Sequence, residues 1–234
     1  MIKLTPRLKT IAFLVPEGSR AADIGADHGY LSVFLVEQGI CPKVIAGEKN
    51  EKPLRKAEEL VKSMGLEDRA LIRQGDGLEV IKNWDKVNTV IIAGMGGQTL
   101  VNILRKDYNK LKDIETLILQ PMTDIPLVRK WLIENNYKIA REELAREGKQ
   151  FYEIIVAEPG EEALPDDNIL ELGPRLLEGK DPLFKAYLLK KLALAKKVIE
   201  NLNKSKQEIS PQKYNYWINL AHKIEEELKC RQEQ

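Results

Sequence analysis

Between residues 20 and 134, short apolar runs alternate with longer stretches in which apolar positions recur every three or four residues. The first pattern suits strands and the second suits helices lying on them. Strands are predicted at Arg20–Ile24, Lys43–Gly47, Arg69–Arg73, Thr89–Ala93 and Thr116–Leu119. Helices are predicted at Tyr30–Gln38, Pro53–Met64, Gln98–Tyr108 and Pro126–Glu134, with a short turn over Leu78–Ile81. A further helix over residues 4–15 precedes them, with Thr5 as its cap, Pro6 in its first turn, and Leu4, Leu8, Ile11 and Val15 on one face. Such alternation predicts an α/β fold, a mostly parallel sheet covered on both faces. The continuous run Val90–Ile91–Ile92–Ala93 reads as a central strand.

The pattern then shifts. Tyr137–Leu144 and Gln150–Ala157, joined through Ala145–Lys149, read as a terminal antiparallel hairpin. The Pro-, Gly- and acid-rich segment Glu158–Asp167 reads as a boundary, so residues 1–160 form one domain and 161–234 another. The second domain is helical. One helix starts at Asp181–Pro182 and repeats Leu188, Leu192, Ala195, Ile199 and Leu202; another starts at Ser210–Pro211 and repeats Tyr214, Trp217, Ala221, Ile224 and Leu228. These seams predict a coiled-coil-like helical hairpin, with a dimerising coiled coil as the weaker reading.

Composition narrows the class. Charged residues make up 31% and hydrophobic residues 43%, the balance of a globular chain. The N-terminus shows no apolar leader and no run approaches the ~20 residues that cross a bilayer, so no membrane partner is expected. The two cysteines, Cys41 and Cys230, and the two histidines, His28 and His222, show no ligand spacing. Reduced thiols, a cytoplasmic location and no metal follow as expectations. No obligate protein partner is evident.

The chemistry gathers at strand ends. Asp23-Ile24-Gly25-Ala26-Asp27-His28-Gly29-Tyr30 follows the first strand and opens the first helix, where glycine permits a sharp turn and the helix start supplies N–H donors. The order is not G-x-G-x-x-G, and Asp23 and Asp27 would repel a pyrophosphate while welcoming an ammonium. A cofactor with an amino-acid end therefore fits better than a dinucleotide; a tight turn without ligand is the competing reading. Glu48 ends the second strand about twenty residues beyond Gly29, where an acid accepts from ribose hydroxyls. Asp76 and Gly77 follow the third strand, with Asp76 placed to hold an exocyclic amine, and Gly94 and Met95 follow the fourth. Each is an ordinary loop residue alone; four after four successive strands point to a ligand crevice beyond the strand ends.

With these motifs the chain resembles class I S-adenosylmethionine-dependent methyltransferases and, among them, the TrmK family of bacterial tRNA (adenine(22)-N1)-methyltransferases. The resemblance rests on Leu4–Leu8, ADIGADHGY, IAGE at 45–48, RQGDGLEVI at 73–81, IAGMGG at 92–97, LILQP at 117–121 and FYEIIVAE at 151–158. It departs at Met122, where the family often has Asn, and at Gly29, where it often has Ala. The resemblance implies a Rossmann-like methyltransferase domain, S-adenosylmethionine as cofactor and tRNA as partner. It implies cofactor contacts from Asp23, Gly25, Asp27, Gly29, Glu48, Asp76, Gly77, Gly94 and Met95. Asp27 and then His28 are the candidates for a catalytic proton acceptor, with cofactor contact alone the alternative for Asp27. Arg7 is expected to reach substrate phosphate or base, Tyr30 to stack on an extruded base or simply pack its helix, and Gln120 to serve the substrate side.

The net charge of +1 suggests no nucleic-acid partner until it is resolved along the chain. From 175 to 206 stand nine basic residues against three acidic ones, including Lys190, Lys197 and Lys206. Lysines so placed on a helix track phosphates, or decorate a solvated coiled-coil face.

Overall fold

The computed structural model describes residues 2–204 and 210–231. The chain divides into two compact units, Met1–Leu164 and Pro165–Gln234.

The first unit is built on a seven-stranded sheet: β1 (Arg20–Ile24), β2 (Lys43–Glu48), β3 (Ala70–Gln74), β4 (Thr89–Met95), β5 (Thr116–Pro121), β6 (Tyr137–Glu147) and β7 (Gln150–Pro159). Their order is β3-β2-β1-β4-β5-β7-β6. The first five are parallel, and β7 inserts antiparallel between β5 and β6. Helices α1 (Pro6–Leu14), α2 (Tyr30–Glu37), α3 (Glu51–Ser63), α4 (Gly97–Lys106) and α5 (Ile125–Glu134) complete it, so the expected α/β class is what forms. Thr5 caps α1 by accepting from the Leu8 amide at 3.4 Å, and Pro6 opens it. Val90, Ile91 and Ile92 of β4 and Leu117, Ile118 and Leu119 of β5 are sealed from solvent, as strands covered on both faces must be.

Chain order reverses between β1 and β4, which are neighbours although β2 and β3 intervene in sequence. At such a switch point the connections leave in opposite directions and a crevice opens beyond the strands' C-terminal ends. Asp23 pairs in register with Ile91 and Ile24 with Ile92, so the Asp23–Gly25 and Ala93–Met95 turns flank that crevice.

The hairpin is tighter than the sequence suggests. Ala145 pairs with Tyr152, Arg146 with Phe151 and Glu147 with Gln150, leaving only Gly148 and Lys149 as the turn. Ala145 is buried and the Arg146 guanidinium lies 5.4 Å from the Phe151 ring centre, which makes strand of a stretch whose composition reads as loop. Likewise β7 runs on to Pro159, with Glu158 paired to Lys138. The sequence does not reveal a buried cluster in this unit, where the wholly buried Arg129 of α5 donates to Glu142 of β6 at 2.7 Å and to Glu153 of β7 at 2.8 Å.

The second unit is helical: α6 (Asp167–Leu172), α7 (Pro174–Glu178), α8 (Phe184–Lys204) and α9 (Pro211–Cys230). The two long helices bury Leu188 and Ala195 against Ala221, Ile224 and Leu228, while Leu192, Ile199, Leu202, Tyr214 and Trp217 are half-buried. They run antiparallel: Arg231, after α9, stacks at 4.6 Å on Phe184 at the start of α8, and Lys196 meets Glu225 at 2.7 Å. Among the described residues no helix is long and apolar enough to cross a membrane, and no group of side chains is arranged to hold a metal.

Candidate active site

A cavity of about 530 Å³ opens at the switch point. The turns after β1, β2, β3 and β4, together with α1 and α4, form its wall. Asp23, Gly25, Asp27, His28, Tyr30, Glu48, Asp76, Gly77, Gly94, Met95 and Arg7 all border it, so residues spread from position 7 to position 95 converge there.

Asp23 lies within the first strand's buried stretch and is 4% exposed. Burial pushes its carboxyl up to about 6, against the pull of the Ser32 hydroxyl, which donates to Oδ2 at 2.8 Å. Two residues on, Gly25 turns the chain at φ +72, and a Cβ there would lie 2.2 Å from Met95 Cε. His28 and Gly29 follow at φ 63 and 72, two left-handed residues in succession that swing the chain into α2. This turn leaves Asp27 exposed at the rim, its Oδ1 3.5 Å from His28 Nε2. Tyr30 is 46% exposed, its ring 5.9 Å from that of His28, so it is not consumed in packing its helix.

Glu48 is almost fully buried, and its Oε1 accepts from the amide and side chain of Asn50 at 2.8 and 3.2 Å. Its Oε2 has no hydrogen-bond partner among the described residues. Asp76 sits opposite on the half-exposed edge, 3.3 Å from Lys49 and 3.5 Å from Lys106. The hydrogen bond from Lys49 is the main reason its carboxyl is held below the ordinary range.

Four expected site residues lie off the cavity wall. Gly29 is buried, and a Cβ on it would be 3.1 Å from that of Ala57, so its place is in helix packing behind the turn. Gln120 is sealed, accepting from Arg7 Nη1 at 2.7 Å and the Gly94 amide at 3.1 Å. Its amide group donates to the Pro121 carbonyl at 2.8 Å and toward Met122 Sδ at 3.5 Å. Gln120 therefore supports Arg7 and the β4 turn from behind. Lys190 and Lys197 are exposed on α8, in the second unit. Of the basic stretch, Lys191, Lys196 and Lys204 are ion-paired with Glu171, Glu225 and Glu200, and Lys206 lies outside the described residues. Sequence reasoning missed Lys49, Asn50, Thr99 and Ile103 on the wall. The first two follow Glu48 directly, and that adjacency was the available signal.

The wall suits a ligand with cationic and hydroxyl groups. Asp23 Oδ1 and Glu48 Oε2 are acceptors without partners among the described residues, and the absence of a side chain on Gly25 lets the Met95 methyl close against the turn. That fits S-adenosylmethionine, with its ammonium and ribose, better than a pyrophosphate. Sheet order, switch-point crevice and acid-lined wall together define a Rossmann-like methyltransferase domain, and residues 4–155 match the family model described as "Methyltransferase domain". The chain belongs to the family of the Bacillus subtilis tRNA (adenine(22)-N(1))-methyltransferase, with which it shares 35% identity over 209 residues, 87% of each chain. The crystal structure of the B. subtilis m1A22 tRNA methyltransferase TrmK superposes with a TM-score of 0.86 at 32% identity, covering 97% of this chain and 100% of that one. A Streptococcus pneumoniae structure, described as a putative tRNA (m1A22) methyltransferase in complex with S-adenosyl-L-methionine, matches with a TM-score of 0.86 at 31% identity, covering 97% and 100%.

Proposed function

We infer that this protein transfers a methyl group from S-adenosylmethionine to N1 of adenine 22 in tRNA. The observation that carries the reading is the 87% shared coverage with the B. subtilis enzyme of that activity, joined to an acid-lined cavity suited to the methyl donor. When bound, S-adenosylmethionine supplies an electrophilic methyl on its sulfonium. Gly25 turns the chain sharply at the cavity wall, and the buried Asp23 carboxylate answers the donor's positive charge. Glu48 Oε2 accepts from ribose hydroxyls, and Asp76, kept ionised by its lysines, accepts from the adenine amine. Gly77, Gly94 and Met95 complete the wall around it.

Adenine N1 already carries a lone pair, so no base is needed before attack; what the chain supplies is position and charge. The methylated base is cationic. Asp27 at the rim stabilises that charge and accepts a proton from the exocyclic nitrogen, with the adjacent His28 as its relay. A stem adenine must leave its stack to expose N1, and the half-exposed Tyr30 ring offers it a stacking face. Lys190 and Lys197, exposed on α8, track the tRNA phosphates, as does Lys185, which has no carboxylate partner among the described residues. Residues 161–234 thus form a tRNA-binding unit and 1–160 the catalytic one. An enzyme of this kind works in the cytoplasm, where tRNA is modified.

Incubation with labelled S-adenosylmethionine and unmodified tRNA, followed by nucleoside mapping, tests the reading. Label appears as 1-methyladenosine at position 22. No transfer to any tRNA, or transfer at another atom or position, refutes it.

A further inference from the structure

The amino-acid end of S-adenosylmethionine carries a carboxylate as well as an ammonium, and a site that holds it must answer both charges. Acids are plentiful around the cavity, with Asp23, Asp27, Glu48 and Asp76 all on its wall. Of the cations there, Lys49 is engaged with Asp76 at 3.3 Å. Arg7 is different. It enters the wall from α1 and makes no ion pair among the described residues.

Arg7 is nonetheless firmly held. Its main-chain N–H donates to Glu147 at 3.0 Å, its guanidinium lies 5.4 Å over the Tyr152 ring, and Nη1 donates to Gln120 at 2.7 Å. Gln120 is fixed in turn by the Gly94 amide and the Pro121 carbonyl, which places Nη1 against the turn after β4. Nε and Nη2 keep their donors without partners among the described residues. A pre-positioned guanidinium with spare donors is matched to a carboxylate or phosphate. It is badly matched to the target base, which becomes cationic as the methyl arrives and would be repelled by a fixed positive charge nearby.

We propose that Arg7, positioned by Gln120, binds the carboxylate of the cofactor's amino-acid end, and is thus a cofactor-binding residue rather than a contact to tRNA. The proposal rests on the methyl-donor reading above. It divides the amino-acid end between two walls: acids of the β1 turn for the ammonium, Arg7 of α1 for the carboxylate.

Calorimetric titration of the full chain with S-adenosylmethionine and with decarboxylated S-adenosylmethionine, which keeps the sulfonium and the ammonium, tests it. The wild-type chain prefers the intact cofactor by at least about ten-fold, as a charge-assisted pair of hydrogen bonds implies. Arg7→Met abolishes that preference by weakening the intact cofactor alone, Arg7→Lys falls between, and tRNA affinity measured by gel shift is unchanged in both. The proposal is overturned by Arg7→Met weakening both ligands equally, or by loss of tRNA affinity at unchanged cofactor Kd. Equal wild-type affinity for the two ligands overturns it without any substitution, so a variant that fails to fold does not shelter it. A wild-type chain that binds no S-adenosylmethionine overturns the methyl-donor reading itself; tight wild-type binding with an indifferent Arg7→Met sinks only the role of Arg7.

Discussion

Replacing Asp23 by Asn separates what this carboxylate does for the fold from what it does for the cofactor. Asp23 is 4% exposed, its one side-chain hydrogen-bond donor among the described residues is Ser32, and burial lifts its carboxyl from the ordinary 3.8 to about 6. With the folded-state value above the ordinary one, the fold favours the protonated form. That stabilisation is complete below pH 3.8 and is lost as the pH rises through about 6. At neutral pH the buried charge therefore costs the empty protein about 3 kcal/mol, at ~1.4 kcal/mol per tenfold step. Asn keeps an acceptor for Ser32 and carries no charge to desolvate.

The expected result is that Asp23→Asn matches the wild-type protein in stability near pH 4 and exceeds it by about 2–3 kcal/mol at pH 7.5. Urea unfolding at a series of pH values reads this directly, as the difference between the two proteins rather than as either curve alone. The same substitution weakens S-adenosylmethionine binding more than ten-fold at pH 7.5, because the ionised carboxylate is what answers the ligand's positive charge. Cofactor binding to the wild-type protein near pH 6 releases a proton, detectable as a dependence of the calorimetric heat on buffer ionisation enthalpy. A stability difference between variant and wild type that stays flat from pH 4 to 8 would refute the reasoning, since the carboxyl would then not be shifted by its burial.

Three further outcomes follow from the geometry. Gly25→Ala, at φ +72 and 2.2 Å from Met95 Cε, costs about 1–2 kcal/mol in thermal melts, because the methionine end can swing aside, yet abolishes cofactor binding in titration. Arg129→Met strands two buried carboxylates, Glu142 and Glu153, and lowers unfolding free energy by about 3–5 kcal/mol; adding Glu142→Gln and Glu153→Gln recovers most of the loss in urea unfolding. Ending the chain after Leu164 keeps the sheet whole, including the 2.7 Å bond from the Ile139 amide to Glu162, so cofactor affinity survives while tRNA affinity in gel shifts collapses. Unchanged tRNA affinity in that truncation would remove the helical unit from the substrate site.

What was legible in the sequence is what lies on one strand and the turn that follows it. Asp23, Gly25, Glu48 and Gly94 each follow an apolar run within a residue or two and Asp76 within four, and a parallel sheet necessarily brings such positions to one edge. Local periodicity therefore sufficed for the crevice without any knowledge of side-chain contacts. It failed where a role depends on pairing between distant elements. Gln120 and Arg7 are 113 residues apart, and no spacing reveals that one buttresses the other. The Arg129–Glu142–Glu153 cluster needs the register of β6 on β7, which the sequence does not supply, and β6 runs longer than predicted because Arg146 and Glu147 look like loop residues until Phe151 and Gln150 are seen beside them. Charge was the subtlest case. A total of +1 carries no information about partners, and even the basic stretch shrinks once Lys191, Lys196 and Lys204 are matched to carboxylates. The useful distinction is between cations the fold has already engaged and those it has not, and that distinction separates Arg7 from Lys49 on one cavity wall.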